Sequence, residues 1–85
     1  MKTIHDKRYR ILVDCLREAR DAAKVTQVEL AKRLGTDQSY VSKYERYERR
    51  LDIIELREIS VALGSTLVEF VSRFEAKLRD KERGR

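Results

Sequence analysis

The sequence predicts an all-α domain of five short helices. Four Ser, Thr or Asp residues stand directly before stretches whose apolar residues recur at helical spacing, and two glycines stand where helices are expected to end. The 85 residues contain no proline and three glycines, a composition that suits packed helices better than a sheet, which needs more turn residues. A chain of this length forms one domain that buries only about 60% of its unfolded surface, so its core is small.

The first helix is predicted over residues 9–23. Its buried face is marked by apolar residues at spacings of four, three and four: Leu12, Leu16, Ala19 and Ala23. Cys15 lies in the same stretch and is the one cysteine of the chain, so it is interpreted as a small buried side chain rather than as part of a disulfide or a metal cluster. Residues 1–8 are polar and basic and are predicted to form an arm that leads into this helix.

The second and third helices are separated by a very short connection. Residues 26–29, Thr-Gln-Val-Glu, have the pattern of a capping box, and Gly35 is placed to end a helix in the left-handed conformation, which predicts a second helix over residues 27–34. Asp37 is expected to cap a third helix over residues 38–47. The predicted arrangement is therefore helix, tight turn, helix.

Two more capping patterns predict the fourth and fifth helices. Asp52 followed by Glu55 starts a helix that ends at Gly64, and Thr66 followed by Glu69 starts the last helix. These limits divide the chain into a basic arm over residues 1–8, a domain over residues 9–74, and a helical extension with a charged tail over residues 75–85.

The third helix combines an inward side with a polar outward side. At about 100° per residue, Val41, Tyr44 and Glu45 point toward the other helices. The outward side, with one residue at its N-terminal end and one at its edge, carries an amide, hydroxyls and a cation: Gln38, Ser39, Tyr40, Ser42 and Lys43. Such side chains read base edges in the major groove, Gln on adenine and Lys on guanine. A polar helix face also occurs as a plain solvated surface, so it is the preceding tight turn that favours double-stranded DNA.

Groups that suit phosphate contacts flank this face. Gln27 stands at the N-terminus of the second helix, where amide donors and the helix dipole favour an anion. At the other end of the predicted helix lie Arg46, Arg49 and Arg50, which form a cationic cluster. A DNA backbone is expected to run between these two anchors. The basic residues of the arm either follow the DNA as well or belong to a frayed chain end.

Residues 26–64 carry a family resemblance in the segment TQVELAKRLGTDQSYVSKYERYERRLDIIELREISVALG. This segment resembles the helix-turn-helix of the Cro and cI repressor-like group, the XRE family. The resemblance implies a compact five-helix, lambda-repressor-like DNA-binding domain that regulates transcription, most simply as a repressor that binds a palindromic operator as a homodimer. It also implies that Gln27 is a phosphate clamp, that residues 38, 39, 40, 42 and 43 face the groove, and that Arg20 pairs with Glu45. An inward Glu45 needs such a partner because an unpaired buried carboxylate is costly.

One residue departs from the family pattern. Tyr47 stands where relatives in this family have a glycine that ends the third helix with a positive φ, a conformation that is strained for a bulky residue. Two outcomes are open. Either the third helix continues through Tyr47 and the following loop is rebuilt, or Tyr47 adopts the left-handed conformation at a cost of about 1 kcal/mol or more.

The last helix carries an apolar stripe that continues past the expected end of the compact domain. Leu67, Val71, Phe74 and Leu78 are spaced four, three and four. Leu67 and Val71 are expected to close the core of the domain itself, whereas Phe74 and Leu78 are predicted to contact a second subunit, since a small core leaves few places to bury them. The alternative is that Phe74 and Leu78 also pack within their own domain.

Composition and charge favour nucleic acid as the partner. Twenty Lys and Arg against 15 Asp and Glu give a formal charge of +5. The chain shows no nucleophile with a base, no glycine-rich phosphate loop and no set of metal ligands, so no enzyme, metal, cofactor or small-molecule ligand is expected. No apolar run is long enough for a membrane span, and a cytoplasmic, nucleoid-associated location is expected. The alternative function is a protein-interaction module with the same fold, such as an antitoxin or a coactivator-like adaptor.

Overall fold

The computed structural model of the protein describes residues 6–84. In this range the chain forms five α-helices: α1 Lys7–Ala22, α2 Gln27–Leu34, α3 Gln38–Glu45, α4 Ile53–Ala62 and α5 Leu67–Arg83. The described residues contain no β-strand. The prediction of an all-α domain of five helices is confirmed, and residues 1–5 of the predicted arm lie outside the described residues.

The first helix begins at Lys7 rather than at Tyr9, because Asp6 caps it. The Asp6 carboxylate accepts the backbone N–H of Arg8 at 2.8 Å and pairs with the Arg8 guanidinium at 2.6 Å. The side-chain hydrogen bond from Arg8, and then the backbone one, lower the pKa of Asp6 to about 2. Lys7 and Arg8 therefore belong to α1 and not to an arm.

Side-chain caps start three of the helices where the sequence predicts them. The Thr26 hydroxyl accepts the backbone N–H of Glu29 at 3.0 Å and so caps α2, although the return bond of the predicted box is not among those formed. Asp52 at α4 and Thr66 at α5 form complete reciprocal boxes. Such a cap stabilises a helix by about 1 kcal/mol. Asp37 occupies the predicted N-cap position of α3, which begins at Gln38, but its carboxylate makes no capping hydrogen bond to the helix backbone.

A left-handed residue follows each of the first four helices: Lys24, Gly35, Tyr47 and Gly64, with φ values of 59°, 72°, 64° and 82°. After α3 the Tyr47 N–H donates to the Tyr44 carbonyl at 3.0 Å, and the Glu48 N–H donates to the Lys43 carbonyl at 2.9 Å. These two bonds define a Schellman motif, in which the left-handed position is usually a glycine. Of the two outcomes open for Tyr47, the structure adopts the second, and α3 ends at Glu45 instead of Tyr47.

Every helix contributes a large apolar or aromatic side chain to one core: Leu16, Leu30, Tyr44, Ile59 and Phe70, none of them more than 2% exposed. The first helix packs against α3 and α5, the second against α3 and α4, and the fourth against α5. Burying one such side chain contributes about 1.5–3 kcal/mol. Because α1 and α2 hold α3 from one side, the opposite side of α3 faces outward.

The last helix continues well past the compact part of the domain. Phe74 is half-buried and packs against the core, as the alternative to a subunit contact anticipates, while Leu78 lies beside Tyr9 and Leu12 at an apolar groove. The predicted contact of Phe74 and Leu78 with a second subunit stays a prediction. Cys15 is buried, and burial raises the pKa of its thiol. No helix within residues 6–84 is both long and apolar enough to cross a membrane.

Candidate nucleic-acid interface

A buried ion pair joins α1 to the inner side of α3. The Arg20 guanidinium donates from Nε to Oε2 of Glu45 at 2.7 Å and from Nη2 to Oε1 at 2.9 Å. A third N–H of Arg20 donates to the Val25 carbonyl at 2.9 Å. The side chain of Glu45 is 4% exposed and that of Arg20 is 12% exposed. The hydrogen bond to Glu45 raises the pKa of Arg20. These contacts bring the two residues together in the pair that the resemblance implies.

Two glutamines extend this ion pair to the surface. Gln27 donates from Nε2 to Oε1 of Glu45 at 2.9 Å, and its own Oε1 accepts from Nε2 of Gln38 at 3.2 Å. An ionised carboxylate can only accept hydrogen bonds, so Gln27 must turn its NH₂ group toward Glu45 and its carbonyl toward Gln38. Gln38 must therefore give one N–H to Gln27. This leaves the exposed Gln38 with a second N–H and its Oε1 for an outside partner.

Two of the predicted groove hydroxyls already have partners on the protein. Ser39 is exposed and donates to Oδ1 of Asp37 at 2.7 Å, so the carboxylate of this N-cap residue bonds a side chain and not the helix backbone. Ser42 is half-buried and accepts a hydrogen bond from Arg46. Lys43 is exposed, and among the described residues no hydrogen bond or ion pair engages its ammonium group. Gln38 and Lys43 are thus exposed side chains of this face that keep N–H donors unused by the described part of the chain.

Tyr40 is held at the edge of this face by its neighbours. Its ring meets that of Tyr44 edge to face at a centroid distance of 5.9 Å, and the Arg49 guanidinium lies 4.8 Å from the centre of the Tyr40 ring. Burial raises the pKa of Tyr40 to about 12, so its hydroxyl stays protonated at neutral pH. The ring is half-buried at the edge of the outward side of α3.

The predicted cationic cluster beyond α3 lies on the surface but is partly neutralised. Arg46 pairs with Glu48 at 3.1 Å, and Arg49 pairs with Glu55 at 2.7 Å. Arg50 is exposed, and no ion pair engages it among residues 6–84. The sequence reasoning missed both pairs, although each acid is only two or six residues from its arginine.

The connection between α3 and α4, residues 46–52, is tied to α1 by two tyrosines that the sequence reasoning did not single out for this role. The Tyr9 hydroxyl donates to the Arg49 carbonyl at 2.7 Å and accepts the Leu51 N–H at 3.0 Å. The Tyr47 hydroxyl donates to the carboxylate of Asp14. The Arg10 guanidinium lies 4.4 Å from the centre of the Tyr47 ring, so this cation of α1 packs on the loop. The spacing of Arg10 and Asp14, one helical turn apart, was the available signal.

The geometry defines the class of protein. A short helix, a three-residue turn and a second helix whose outer side carries polar and cationic groups make a helix-turn-helix domain, with α3 as its outward helix.

Comparison with known proteins gives the family. A helix-turn-helix family model matches residues 16–70. The structure is similar to that of an XRE-family like protein from Pseudomonas syringae pv. tomato, with 51% identity, a TM-score of 0.80, and coverage of 89% of this chain and 93% of that one. The chain therefore belongs to the XRE family of helix-turn-helix proteins.

More distant structures share the fold alone. The clp gene regulator ClgR from Corynebacterium glutamicum is 22% identical with a TM-score of 0.78, covering 91% of this chain and 82% of that one. The restriction-modification controller protein C.Esp1396I is 24% identical with a TM-score of 0.78, covering 84% and 90%. No curated protein sequence matches the chain.

Proposed function

We propose that the protein is a sequence-specific regulator of transcription that binds double-stranded DNA with α3 in the major groove. The observation that carries the proposal is the fixed amide of Gln38. The chain of hydrogen bonds from Arg20 through Glu45 and Gln27 leaves the exposed Gln38 with one N–H donor and one acceptor for an outside partner. Adenine offers N7 and N6 as the complementary acceptor and donor in the major groove.

We propose the other contacts from the exposure and chemistry of the remaining side chains. Lys43 donates to a guanine, and the face is completed by the residues at its edges: Ser39, Tyr40 and Ser42. Gln27 keeps one N–H that its two hydrogen bonds do not use and offers it to a phosphate at the start of α2. At the other end the phosphates are contacted by Arg46, Arg49 and Arg50.

We further propose that two copies bind a palindromic site and repress transcription by covering a promoter. Recognition helices of such dimers lie about 34 Å apart, one turn of DNA. The described part of the chain measures 39 × 26 × 20 Å, so two copies side by side are of the right size for this separation. Near Phe74, α5 carries three apolar side chains that water reaches: Val68 and Val71, which are exposed, and Leu78, which is half-buried. This exposure supports a subunit contact along α5.

Selection of bound sequences from a random duplex pool tests this function. Wild type is expected to enrich a symmetric sequence, and Gln38→Ala is expected to enrich the same half-site with one position relaxed, because a good bidentate pair gives about 1–3 kcal/mol of discrimination. Lys81→Ala, which removes an exposed cation on α5, is the control and should enrich the wild-type sequence.

The salt dependence of binding separates this function from its alternative. Each phosphate contact should add about −0.9 to the slope of log affinity against log salt concentration. Failure to enrich any sequence, together with a flat salt response, would reject DNA binding and favour the protein-interaction module.

A further inference from the structure

A single hydroxyl from α1 holds the middle of the loop that carries the arginines. Tyr9 bonds the Arg49 carbonyl on one side of Arg50 and the Leu51 N–H on the other, at 2.7 and 3.0 Å. Burial raises the pKa of Tyr9, so the hydroxyl stays protonated and donates to the Arg49 carbonyl at neutral pH. The ring of Tyr9 packs against the core, and Leu51 is itself a buried core residue. The backbone around Arg50 is therefore fixed from a helix that lies outside the helix-turn-helix.

The loop also reaches back to α1 through its own tyrosine. Tyr47 follows Arg46 and has the left-handed φ of 64°. Its hydroxyl donates to Asp14, and Arg10 covers its ring at 4.4 Å. A tyrosine in a position that usually holds glycine is strained, so these contacts compensate for an unfavourable backbone conformation. Both ends of the arginine-bearing stretch are consequently anchored on one helix.

We propose that Tyr9 and Tyr47 are positioning residues for DNA binding, which hold Arg46, Arg49 and Arg50 where they meet the DNA backbone. This inference rests on the proposed function. Residues 46–52 belong to no helix, and a free loop loses conformational freedom when its cations dock on phosphates. Because the tyrosines order the loop before DNA arrives, that entropy is lost on folding and not on binding.

Removal of the Tyr9 hydroxyl tests the inference while the ring stays in place. Tyr9→Phe is compared with Tyr44→Phe, which removes a buried tyrosine hydroxyl without a hydrogen-bond partner in the described structure. Affinity for a random duplex is measured at several salt concentrations, and exchange of the Leu51 amide proton is measured by NMR in the free protein. Tyr9→Phe is expected to exchange Leu51 faster and to bind up to about tenfold more weakly, because without these two hydrogen bonds the loop is less ordered in the free protein and part of its ordering cost moves to the binding step. Its salt slope is expected to become flatter only where the arginines no longer dock on phosphates. Tyr44→Phe is expected to match wild type in DNA affinity and slope.

Two further variants distinguish positioning from a general effect on folding. If Tyr9 acts through the arginines, Arg50→Ala should cost less affinity in the Tyr9→Phe background than in wild type. Tyr47→Phe keeps the ring under Arg10 but removes the bond to Asp14, and a smaller change in the same direction is expected, so this variant provides the test if Tyr9→Phe does not fold.

If Tyr9→Phe and Tyr47→Phe both bound DNA with wild-type affinity and salt slope, the inference would be overturned and the proposed function would stand. Weaker binding of Tyr9→Phe with Leu51 exchange as slow as in wild type would overturn it as well, because the loop would then be ordered without the hydroxyl. A wild-type protein whose duplex binding is independent of salt would overturn both the inference and the proposed function.

Discussion

Replacement of Arg20 by alanine leaves the buried carboxylate of Glu45 without its cationic partner. Removing one member of a well-buried pair costs about 3–5 kcal/mol. Arg20 retains 12% of its side-chain exposure, so water can reach the site and the lower end, about 3 kcal/mol, is expected. A domain of this size shifts its melting temperature by about 4–8 °C per kcal/mol, which gives a decrease of about 12–24 °C.

Thermal and urea unfolding, followed by circular dichroism, measure this loss. Arg17→Ala is the matched control, because Arg17 lies on the exposed part of the same helix and its removal should change stability by no more than about 0.5 kcal/mol. If Arg20→Ala unfolded at the same temperature as Arg17→Ala, the ion pair would not stabilise the fold, and the reasoning that links it to the orientation of Gln38 would fail.

Three further predictions concern the left-handed residues Lys24 and Tyr47, the capping acid Glu55 and the subunit contact. Lys24→Gly should stabilise the protein by about 0.5–1 kcal/mol in urea unfolding because it relieves a left-handed conformation, whereas Tyr47→Gly should destabilise it because the contacts of the ring and hydroxyl are lost too; a gain in both variants would contradict this. The backbone N–H of Asp52 lowers the pKa of Glu55 below its ordinary value of 4.5, so this carboxylate stabilises the fold above that pH and its contribution disappears as the pH falls through the lowered pKa. Glu55→Gln should therefore be less stable than wild type at neutral pH and approach it in acid; a difference independent of pH would argue against the carboxylate. Leu78→Asp should sediment as a monomer at concentrations where wild type and the exposed control Ala76→Asp are dimeric, and equal dimerisation of all three would remove Leu78 from the interface.

Local signals predicted the limits of the second helix and the start of the third. Thr26 and Gly35 act within one turn of the helix that they delimit, so the pattern alone is sufficient for α2. The end of α3 was not predictable in the same way. A tyrosine at position 47 disfavours the left-handed conformation locally. The groups that stabilise this conformation, Arg10 and Asp14, are far away in the sequence, on α1. Tertiary contacts decide that boundary.

For the site too, local sequence predicts some features, whereas others depend on long-range contacts. The outward side of α3 follows from helical periodicity, and the structure places Gln38 and Lys43 on it, both exposed. Periodicity does not show that Ser39 bonds Asp37 or that Ser42 bonds Arg46, because hydroxyl partners depend on rotamers and on the path of the next loop. The orientation of the Gln38 amide is likewise set by a relay that spans three helices.

Burial separates Arg20, which is paired in the core, from the arginines that are proposed to contact DNA. The pairs of Arg46 and Arg49 lie in water, with side chains 55% and 44% exposed, and such pairs are weak because solvent screens them. A DNA phosphate carries the same charge as the carboxylate it replaces, so either arginine can change partner without uncovering a buried charge. The same exchange at Arg20 would leave Glu45, with 4% of its side chain exposed, unpaired in the core. Under the proposed function, Arg20 is therefore expected to contribute to DNA binding through the position of Gln38 and not through a contact of its own.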